Sequence, residues 1–443
     1  MSISPARTVA FDILLRVEQH DAYASELLHS HRLDGLAQDD RGLTTELVMG
    51  VLRWRSRLDD AIAIAAARPL EKLDSEVLTA LRLGAYQLRY LSRIPAHAAI
   101  NESVELVKRA RKRSAAPFTN AVLRKVAALP EEAPADPSQW DAASVAREFA
   151  HPAWLVERWV AEFGIERAKL ICQHGQQIPH VALRIDGPEV EQELKGEGVE
   201  LAPGMLLSSA PIVISGDVFR TKAVREGRAF IQDEASQLVA ALVGHGSRLL
   251  DCCAAPGGKT AAMASRNPAA EIIAAELHPH RAELLRSRVR RDNVQVIQAD
   301  ALNLPVEGKF DRVLADVPCS GTGTLAHNPE IKWKLKASDL ADLHGRQVAL
   351  LSAALNQLAP GGRAVYSTCS LEREEDESVI EEVLRDERAY RLIDCREELQ
   401  RLRFTGEFVW KDLDSLVSGK FLRTIPGLHP CDGFFVAMIE CIG

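Results

Sequence analysis

The sequence predicts a multidomain chain: an all-helical N-terminal domain, a small α+β middle module and a C-terminal doubly wound α/β domain. Three observations carry this. Apolar residues recur at spacings of three and four almost without break from Pro5 to about Leu129. A proline-rich acidic stretch, EEAPADPSQW, then interrupts the pattern, with Pro130, Pro134 and Pro137 marking a linker. Beyond QDEASQLVAALVG, short apolar runs alternate with amphipathic segments, the order that builds a mostly parallel sheet covered by helices. The expected boundaries are 1–135, 140–234 and 235–443.

Taken in order, VAFDILLRV, TTELVMGVLRW, EVLTALRLGAYQLRYL, HAAINESVELVKRA and FTNAVLRKVAA each place their apolar residues on one helical stripe. The middle module mixes helices (SVAREF, PAWLVERWVAEFG, RAKLICQHG) with strands (HVALRID, APIVISG). The C-terminal domain reads as strand SRLLDCC, a helix from Lys259, strand EIIAAEL, a helix from Pro279, and strands NVQVIQAD and FDRVLADVPC. A helix across Asp339 to Leu358, strand GGRAVYSTCS, a helix Glu374 to Leu384 and strand DGFFVAMIEC complete it.

Composition sets bounds on function. The chain has 443 residues, 47% hydrophobic and 26% charged, as expected of a globular protein with more than one core. Its net charge of -8 gives no global basic field, so any nucleic-acid role rests on local patches. No run approaches the roughly 18 apolar residues of a membrane span, and MSISPARTVAFDILLRV lacks a signal core, so a cytoplasmic protein is expected. Eight cysteines without a C-x-x-C pair argue against a disulfide scaffold and against structural zinc; no metal is expected.

In a doubly wound sheet, ligands bind beyond the carboxyl ends of the strands where the chain order reverses. The loop DCCAAPGGKT follows the first such strand, and Gly257 and Gly258 let its backbone approach a ligand. A Walker motif would need glycine at Cys253, and the dinucleotide fingerprint is absent. Glu276 ends the next strand, 18 residues beyond Gly258 and near the offset at which a carboxylate meets ribose hydroxyls. Asp300 ends the third strand, where it can accept from an adenine amino group. S-adenosylmethionine meets all three demands. The alternative is that Glu276 and Asp300 simply cap the segments that follow them.

Two cysteines close the fourth and fifth strands, Cys319 in ADVPCSG and Cys369 in VYSTCSL. C5 of cytosine is a poor nucleophile until a thiolate adds to C6, so paired cysteines on the ligand side suggest attack on a pyrimidine ring. Asp316, three residues before Cys319, can engage N3 and the exocyclic amine. An isolated strand cysteine is more often a small core residue. Two in equivalent positions, each followed by serine, weigh against that.

These segments resemble a known family. CAAPGGKT, DVPCSGTGTL with NPEIKW, and YSTCS are similar to the motifs of the Sun-type RNA (cytosine-5)-methyltransferases. IPAHAAINESVELVKRA and FTNAVLR resemble the NusB-like RNA-binding domain of the bacterial small-subunit ribosomal RNA methyltransferase B branch, and QDEASQ and the final DGFFVA fit as well. The resemblance implies a Rossmann-like methyltransferase domain using S-adenosyl-L-methionine to make 5-methylcytosine in 16S ribosomal RNA. It implies Cys369 as nucleophile and Cys319 as the residue that assists product release. It further implies that Cys253, Ala254, Ala255, Pro256, Gly257, Gly258 and Lys259 hold the methionine part, Glu276 the ribose and Asp300 the adenine, with Asp316 between cofactor and base. Glu276 stands where many relatives carry aspartate; either acid can bridge a ribose.

For the RNA, KRARKR offers Lys108, Arg109, Arg111, Lys112 and Arg113 as cations on a helix that could track phosphates, with Arg124 and Lys125 beyond. Arg286, Arg288, Arg290 and Arg291 form a second cluster on the helix after Glu276, and Trp333 and Lys334 are candidates to flank the target base. Chemistry at C5 and C6 needs the ring faces, so the cytosine must be unstacked. Two alternatives stay open: a transfer RNA cytosine as substrate, and a non-catalytic NusB-like RNA-binding factor.

Overall fold

The structure is a computed structural model that describes residues 3–20, 22–130 and 140–443. Pro134 and Pro137 of the expected linker lie outside the described residues. The chain divides into two compact units, Met1–Ile178 with Leu325–Lys334, and Pro179–Thr324 with Leu335–Gly443.

The first unit is helical. Helices Pro5–Gln19, Gln38–Arg53, Arg55–Ala66, Ser75–Tyr90, Ala96–Arg109 and Ala116–Ala128 share one core built on Phe11, Leu47, Leu81, Leu106 and Leu123. Ser75–Tyr90 buries residues on every face, from Val77 through Gln87, and is the element around which the others pack. Gly50 lets a neighbour come close: a Cβ there would lie 2.0 Å from the Tyr86 ring. Helices Ala142–Glu148, Ala153–Phe163 and Ile165–His174, which the sequence grouped with the strands that follow, also belong to this unit.

The inserted segment Leu325–Lys334 is held by the free carbonyls that end helix Gln38–Arg53. Trp333 Nε1 donates to the Leu52 carbonyl at 2.6 Å, and Lys332 Nζ donates to the carbonyls of Arg53 at 2.9 Å and Ala150 at 3.0 Å. A cation at a helix C-terminus also meets the negative end of its dipole. Glu330 does the converse, accepting from the first backbone N–H of helix Ala24–Leu28 at 2.7 Å.

The second unit holds two sheets. Strands β1 (Val181–Ile185), β2 (Glu200–Ala202), β3 (Ile212–Ser215) and β4 (Ala229–Ile231) form an antiparallel sheet in the order β2-β3-β1-β4, packed over helix Pro188–Gly196 through Leu183, Val190 and Leu194. The larger sheet contains β5 (Arg248–Asp251), β6 (Glu271–Glu276), β7 (Val294–Gln298), β8 (Phe310–Asp316), β9 (Leu358–Thr368), β10 (Tyr390–Ile393), β11 (Val417–Ser418), β12 (Phe421–Arg423) and β13 (Phe435–Cys441). Its order is β11-β12-β13-β9-β8-β5-β6-β7, with β10 on β13.

Strands β5 to β9 are parallel, and their side chains alternate between two cores. Leu249, Leu314, Val365 and Val436 enter one core with Val239 and Met263; Leu250, Val313, Tyr366 and Phe435 enter the other with Leu351 and Leu355. Burial on both faces is why these strands read as continuous apolar runs. The remaining edge is antiparallel, since β13 runs against β9 and carries β10 and β12. Strands of two to four residues such as β10, β11 and β12 have too few positions for a periodicity and so leave no pattern in the residues. Chain order reverses between β5 and β8, which places a crevice beyond their carboxyl ends.

Candidate active site

The crevice is lined from both sides of the reversal. Parallel pairing sets Asp316 of β8 opposite Ser367 of β9, and the Val317 N–H donates to the Ser367 carbonyl at 3.1 Å. The two chains therefore leave the sheet side by side. Cys319 lies three residues past the end of β8 and Cys369 one past β9, and their sulfurs are 3.3 Å apart, each thiol partly buried. All eight cysteines are free thiols. The Cys369 sulfur as hydrogen-bond partner, then burial, then the nearby charges of Cys369 and Glu375 hold the Cys319 pKa well above the ordinary thiol value.

Lys259, in the first turn of helix Gly258–Arg266, reaches across to Asp316, Nζ to Oδ2 at 2.8 Å. Burial opposes its charge, but the Asp316 ion pair and hydrogen bond, with smaller contributions from Cys369 and Asp251, together raise the Lys259 pKa. Ser367 Oγ donates to the other Asp316 oxygen at 2.7 Å, which fixes the carboxylate in the crevice. The Lys259 ammonium also lies over the Phe434 ring, 5.0 Å from its centroid.

The loop after β5 starts at Asp251, which is buried. Its Oδ2 accepts from Thr260 Oγ1 at 2.7 Å, while Oδ1 has no partner among the described residues. Burial, only partly opposed by the Thr260 hydrogen bond, pushes the Asp251 carboxyl up to about 7. Gly257 has φ 108° and a Cβ there would lie 2.6 Å from Val289, so only glycine makes this turn into the helix. Residues 253–259 thereby present backbone and the helix N-terminus to the crevice.

Glu276 ends β6, is 4% exposed, and accepts from the backbone N–H of His278 at 2.9 Å. Asp300 does not end a strand: β7 stops at Gln298, and Asp300 is exposed and caps the short turn Ala301–Asn303 by accepting from the Leu302 N–H at 3.0 Å. Asp300 thus makes the capping bond weighed as the alternative, whereas the helix after Glu276 has no side-chain cap; each carboxylate keeps further lone pairs for a ligand.

S-adenosylmethionine fits these residues on an observation internal to the crevice. A buried carboxylate oxygen without a hydrogen-bond partner among the described residues, Asp251 Oδ1, costs desolvation unless it meets a donor, and an ammonium supplies one. The glycine turn and helix N-terminus beside it suit a carboxylate. Glu276 suits paired hydroxyls.

A family model described as 16S rRNA methyltransferase RsmB/F matches residues 241–440, and one described as NusB family matches residues 4–128. A Bacillus subtilis (strain 168) protein named "Probable ribosomal RNA small subunit methyltransferase B" is 34% identical over 458 residues, covering 99% of both chains. The "Ribosomal RNA small subunit methyltransferase B" of Pseudomonas syringae pv. tomato is 36% identical over 372 residues, 80% of this chain and 81% of that one. The chain belongs to the RsmB/F family. Among solved structures, PH0851 superposes with TM-score 0.81 at 22% identity over 99% of both chains. A methyltransferase homologue from Pyrococcus horikoshii gives 0.55 at 24% identity over 69% of this chain and all of that one; both likenesses concern the fold.

As an RsmB/F protein, the chain is a ribosomal RNA methyltransferase that uses S-adenosylmethionine. No helix among the described residues is long and apolar enough to cross a membrane.

Three expectations about RNA contacts in this RsmB/F chain need correction. KRARKR is not one helical run: the helix ends at Arg109 and Arg111 takes φ 63°. Lys108 pairs with Glu105 at 2.7 Å, Arg109 with Asp12 at 2.8 Å and Lys112 with Asp74 at 3.1 Å, whereas Arg111 and Arg113 have no ion pair among the described residues. Arg290 and Arg291 lie past the end of helix Pro279–Arg288, and Arg291 is bound to Asp186. Trp333 and Lys334 belong to the first unit, where Trp333 binds Leu52 and Lys334 Nζ donates to the Ala22 carbonyl at 3.0 Å. Carbonyls that end a helix are strong acceptors, and sequence spacing does not show where they lie.

The sequence reading also overlooked Asp251, Ser367 and Glu375. An acid directly before the glycine loop was a signal available for Asp251.

Proposed function

We propose that this protein methylates C5 of a specific cytosine in 16S ribosomal RNA through a covalent bond between the Cys369 sulfur and C6. One observation carries the reading: two thiols 3.3 Å apart in the loops after β8 and β9, with the Lys259–Asp316 pair at the carboxyl end of β8. An enzyme acting on an exocyclic or ring nitrogen has no use for two sulfurs there.

Cys369 gives up its proton to solvent and attacks C6 as a thiolate. The S–C6 bond forms, the C5=C6 electrons shift, and C5 becomes enamine-like. Asp316, steadied by Ser367 and Lys259, accepts from the exocyclic amine and so orients the ring, while the Lys259 ammonium it holds offsets the negative charge that builds there. S-adenosylmethionine, when bound, supplies a methyl group on a sulfonium that C5 can take. The C5 proton then leaves to solvent, its electron pair re-forms C5=C6, and the Cys369 sulfur is expelled. Cys319, whose environment keeps its proton on, donates a hydrogen bond to that departing sulfur.

In this reading residues 253–259 and Asp251 hold the amino-acid end of the cofactor, Glu276 the ribose and Asp300 the adenine. Residues 4–128 carry RNA binding, strands β1 to β4 with their helices form a linking module, and the larger sheet with its helices carries the catalysis. Within KRARKR, Arg111 and Arg113 are available for phosphates now, and Lys108, Arg109 and Lys112 exchange exposed protein partners for them at little cost.

The reading is tested by incubating the protein with labelled cofactor and small-subunit RNA and digesting to nucleosides. Label in 5-methylcytidine is expected. Label confined to a purine or to another position of cytidine would reject it.

Asp251 gives a pH prediction. Its folded pKa of about 7 lies above the ordinary 3.8, so the folded apo protein holds an extra proton between these values and loses stability as pH rises through that window. An ammonium at Oδ1 favours the ionised form, so cofactor binding expels that proton below pH 7. Affinity measured by calorimetry is expected to strengthen with pH, approaching about tenfold per unit between pH 5 and 7. Asp251→Asn should flatten this slope; an unchanged slope would remove Asp251 from the cofactor site.

A further inference from the structure

The residues on both sides of both cysteines are tied to one buried patch. Ser320 and Ser370 directly follow Cys319 and Cys369, and both bind Glu375, which is fully buried. The Glu375 carboxylate accepts four hydrogen bonds: from the Ser320 backbone N–H at 2.8 Å, from the Ser320 and Ser370 hydroxyls, and from Gln347 Nε2 at 2.9 Å. Gln347 also donates to the carbonyl of Pro318, the residue before Cys319, at 2.9 Å. Thr368, the residue before Cys369, donates from Oγ1 to the adjacent Asp376 at 2.6 Å.

Glu375 is itself anchored. Tyr366 donates its hydroxyl to the Glu375 carbonyl at 2.6 Å, and Asp376 is paired with Arg423 at 3.1 Å. No cation pairs with the Glu375 carboxylate among the described residues. Burying a carboxylate without one is costly, and an apolar side chain would serve packing alone at less cost. What a carboxylate does that an apolar group does not is gather several donors at one point. Here those donors come from the two loops that carry the thiols.

We propose that Glu375 is the positioning residue for the reaction: it clamps Ser320 and Ser370 together and so holds the Cys319 and Cys369 sulfurs at the 3.3 Å spacing seen. It acts through the serines and makes no hydrogen bond to either sulfur. The proposal rests on the assignment of both thiols to cytosine methylation, and deepens it by naming what sets their geometry.

The test uses the full chain in three forms: Glu375→Ala, Glu375→Gln, and a double Ser320→Ala/Ser370→Ala variant that releases the clamp from its other end. Three quantities are read: the single-turnover rate of methyl transfer at saturating RNA, the cofactor dissociation constant, and the rate at which diamide closes a Cys319–Cys369 disulfide, followed by peptide mapping. In the last, two thiols give two protons and two electrons to the azo bond of the reagent, which becomes a hydrazine; neither RNA nor cofactor is needed.

Glu375→Ala and the double serine variant should slow methyl transfer about a hundredfold, the scale of a misplacement near 1 Å, and slow disulfide closure about tenfold. The cofactor dissociation constant should change less than about threefold, because the clamp spares the glycine loop. Glu375→Gln keeps an acceptor for the Ser320 N–H and a group the hydroxyls can bind, so it should retain more of both rates than the alanine variant. If Glu375→Ala does not fold, the serine variant decides. Both rates staying near wild type overturns the proposal, as does loss of cofactor affinity in step with them, which would mark a general structural role. Should the wild type make no 5-methylcytidine while disulfide closure still slows in the variants, the methylation reading fails and the clamp stands.

Discussion

Cys369→Ala is expected to abolish turnover, by a factor on the order of 10⁴ or more, the scale for removing a covalent nucleophile. Without the sulfur, C6 has no partner, C5 stays a poor nucleophile, and no adduct with RNA survives denaturation. The thiol is only partly buried and its hydrogen-bond partner is the other cysteine, so alanine leaves a small gap and strands no backbone group. Folding and cofactor affinity should be close to wild type. Methyl transfer measured in single turnover, with the cofactor dissociation constant alongside, checks both halves; activity within tenfold of wild type would remove Cys369 from the reaction.

Cys319→Ala is expected to do something different. Addition to C6 and methylation at C5 do not need the second sulfur, but expulsion of Cys369 loses its hydrogen-bond donor. Turnover should fall by about 10² to 10⁴, the range for losing an acid–base partner, while a covalent protein–RNA complex accumulates on a denaturing gel. The asymmetry has a physical source in the surroundings of the two thiols. Cys319 is held in its protonated form by its partner sulfur, by burial and by the charges of Cys369 and Glu375, which suits it to donate rather than attack. If the adduct builds up in Cys369→Ala and not in Cys319→Ala, the two roles are exchanged.

Much of this was legible in the residues. Parallel strands buried on both faces leave long apolar runs, so β5, β6, β8 and β9 stood out, and the topological reversal then fixed where a ligand goes. The glycine loop, Glu276, Asp316 and both cysteines all sit at carboxyl ends of those strands or in the loops just beyond, because strand period and loop position follow from local sequence.

What escaped depends on contacts between distant segments. The pairing of Lys259 with Asp316, and the reach of Glu375 to Ser320, join residues more than 50 apart that only the sheet register brings together. Trp333 and Lys334 read as candidates to flank the base, with a packing anchor as the alternative for the tryptophan, and the structure engages them with the carbonyls of Leu52 and Ala22. The break of KRARKR at Arg111 was equally invisible, since nothing in the charges of a run shows where its helix stops.

The most direct test of a sulfur bonded to C6 uses the wild-type protein, S-adenosylmethionine and small-subunit RNA in which cytidine is replaced by 5-fluorocytidine. Fluorine at C5 cannot leave as a proton does, so the methylated adduct is trapped. After nuclease and protease digestion, mass spectrometry should find a methylated fluorocytidine nucleotide on the peptide containing Cys369. Attachment to any other residue, or no attachment while unsubstituted RNA is converted to 5-methylcytidine, would contradict the mechanism.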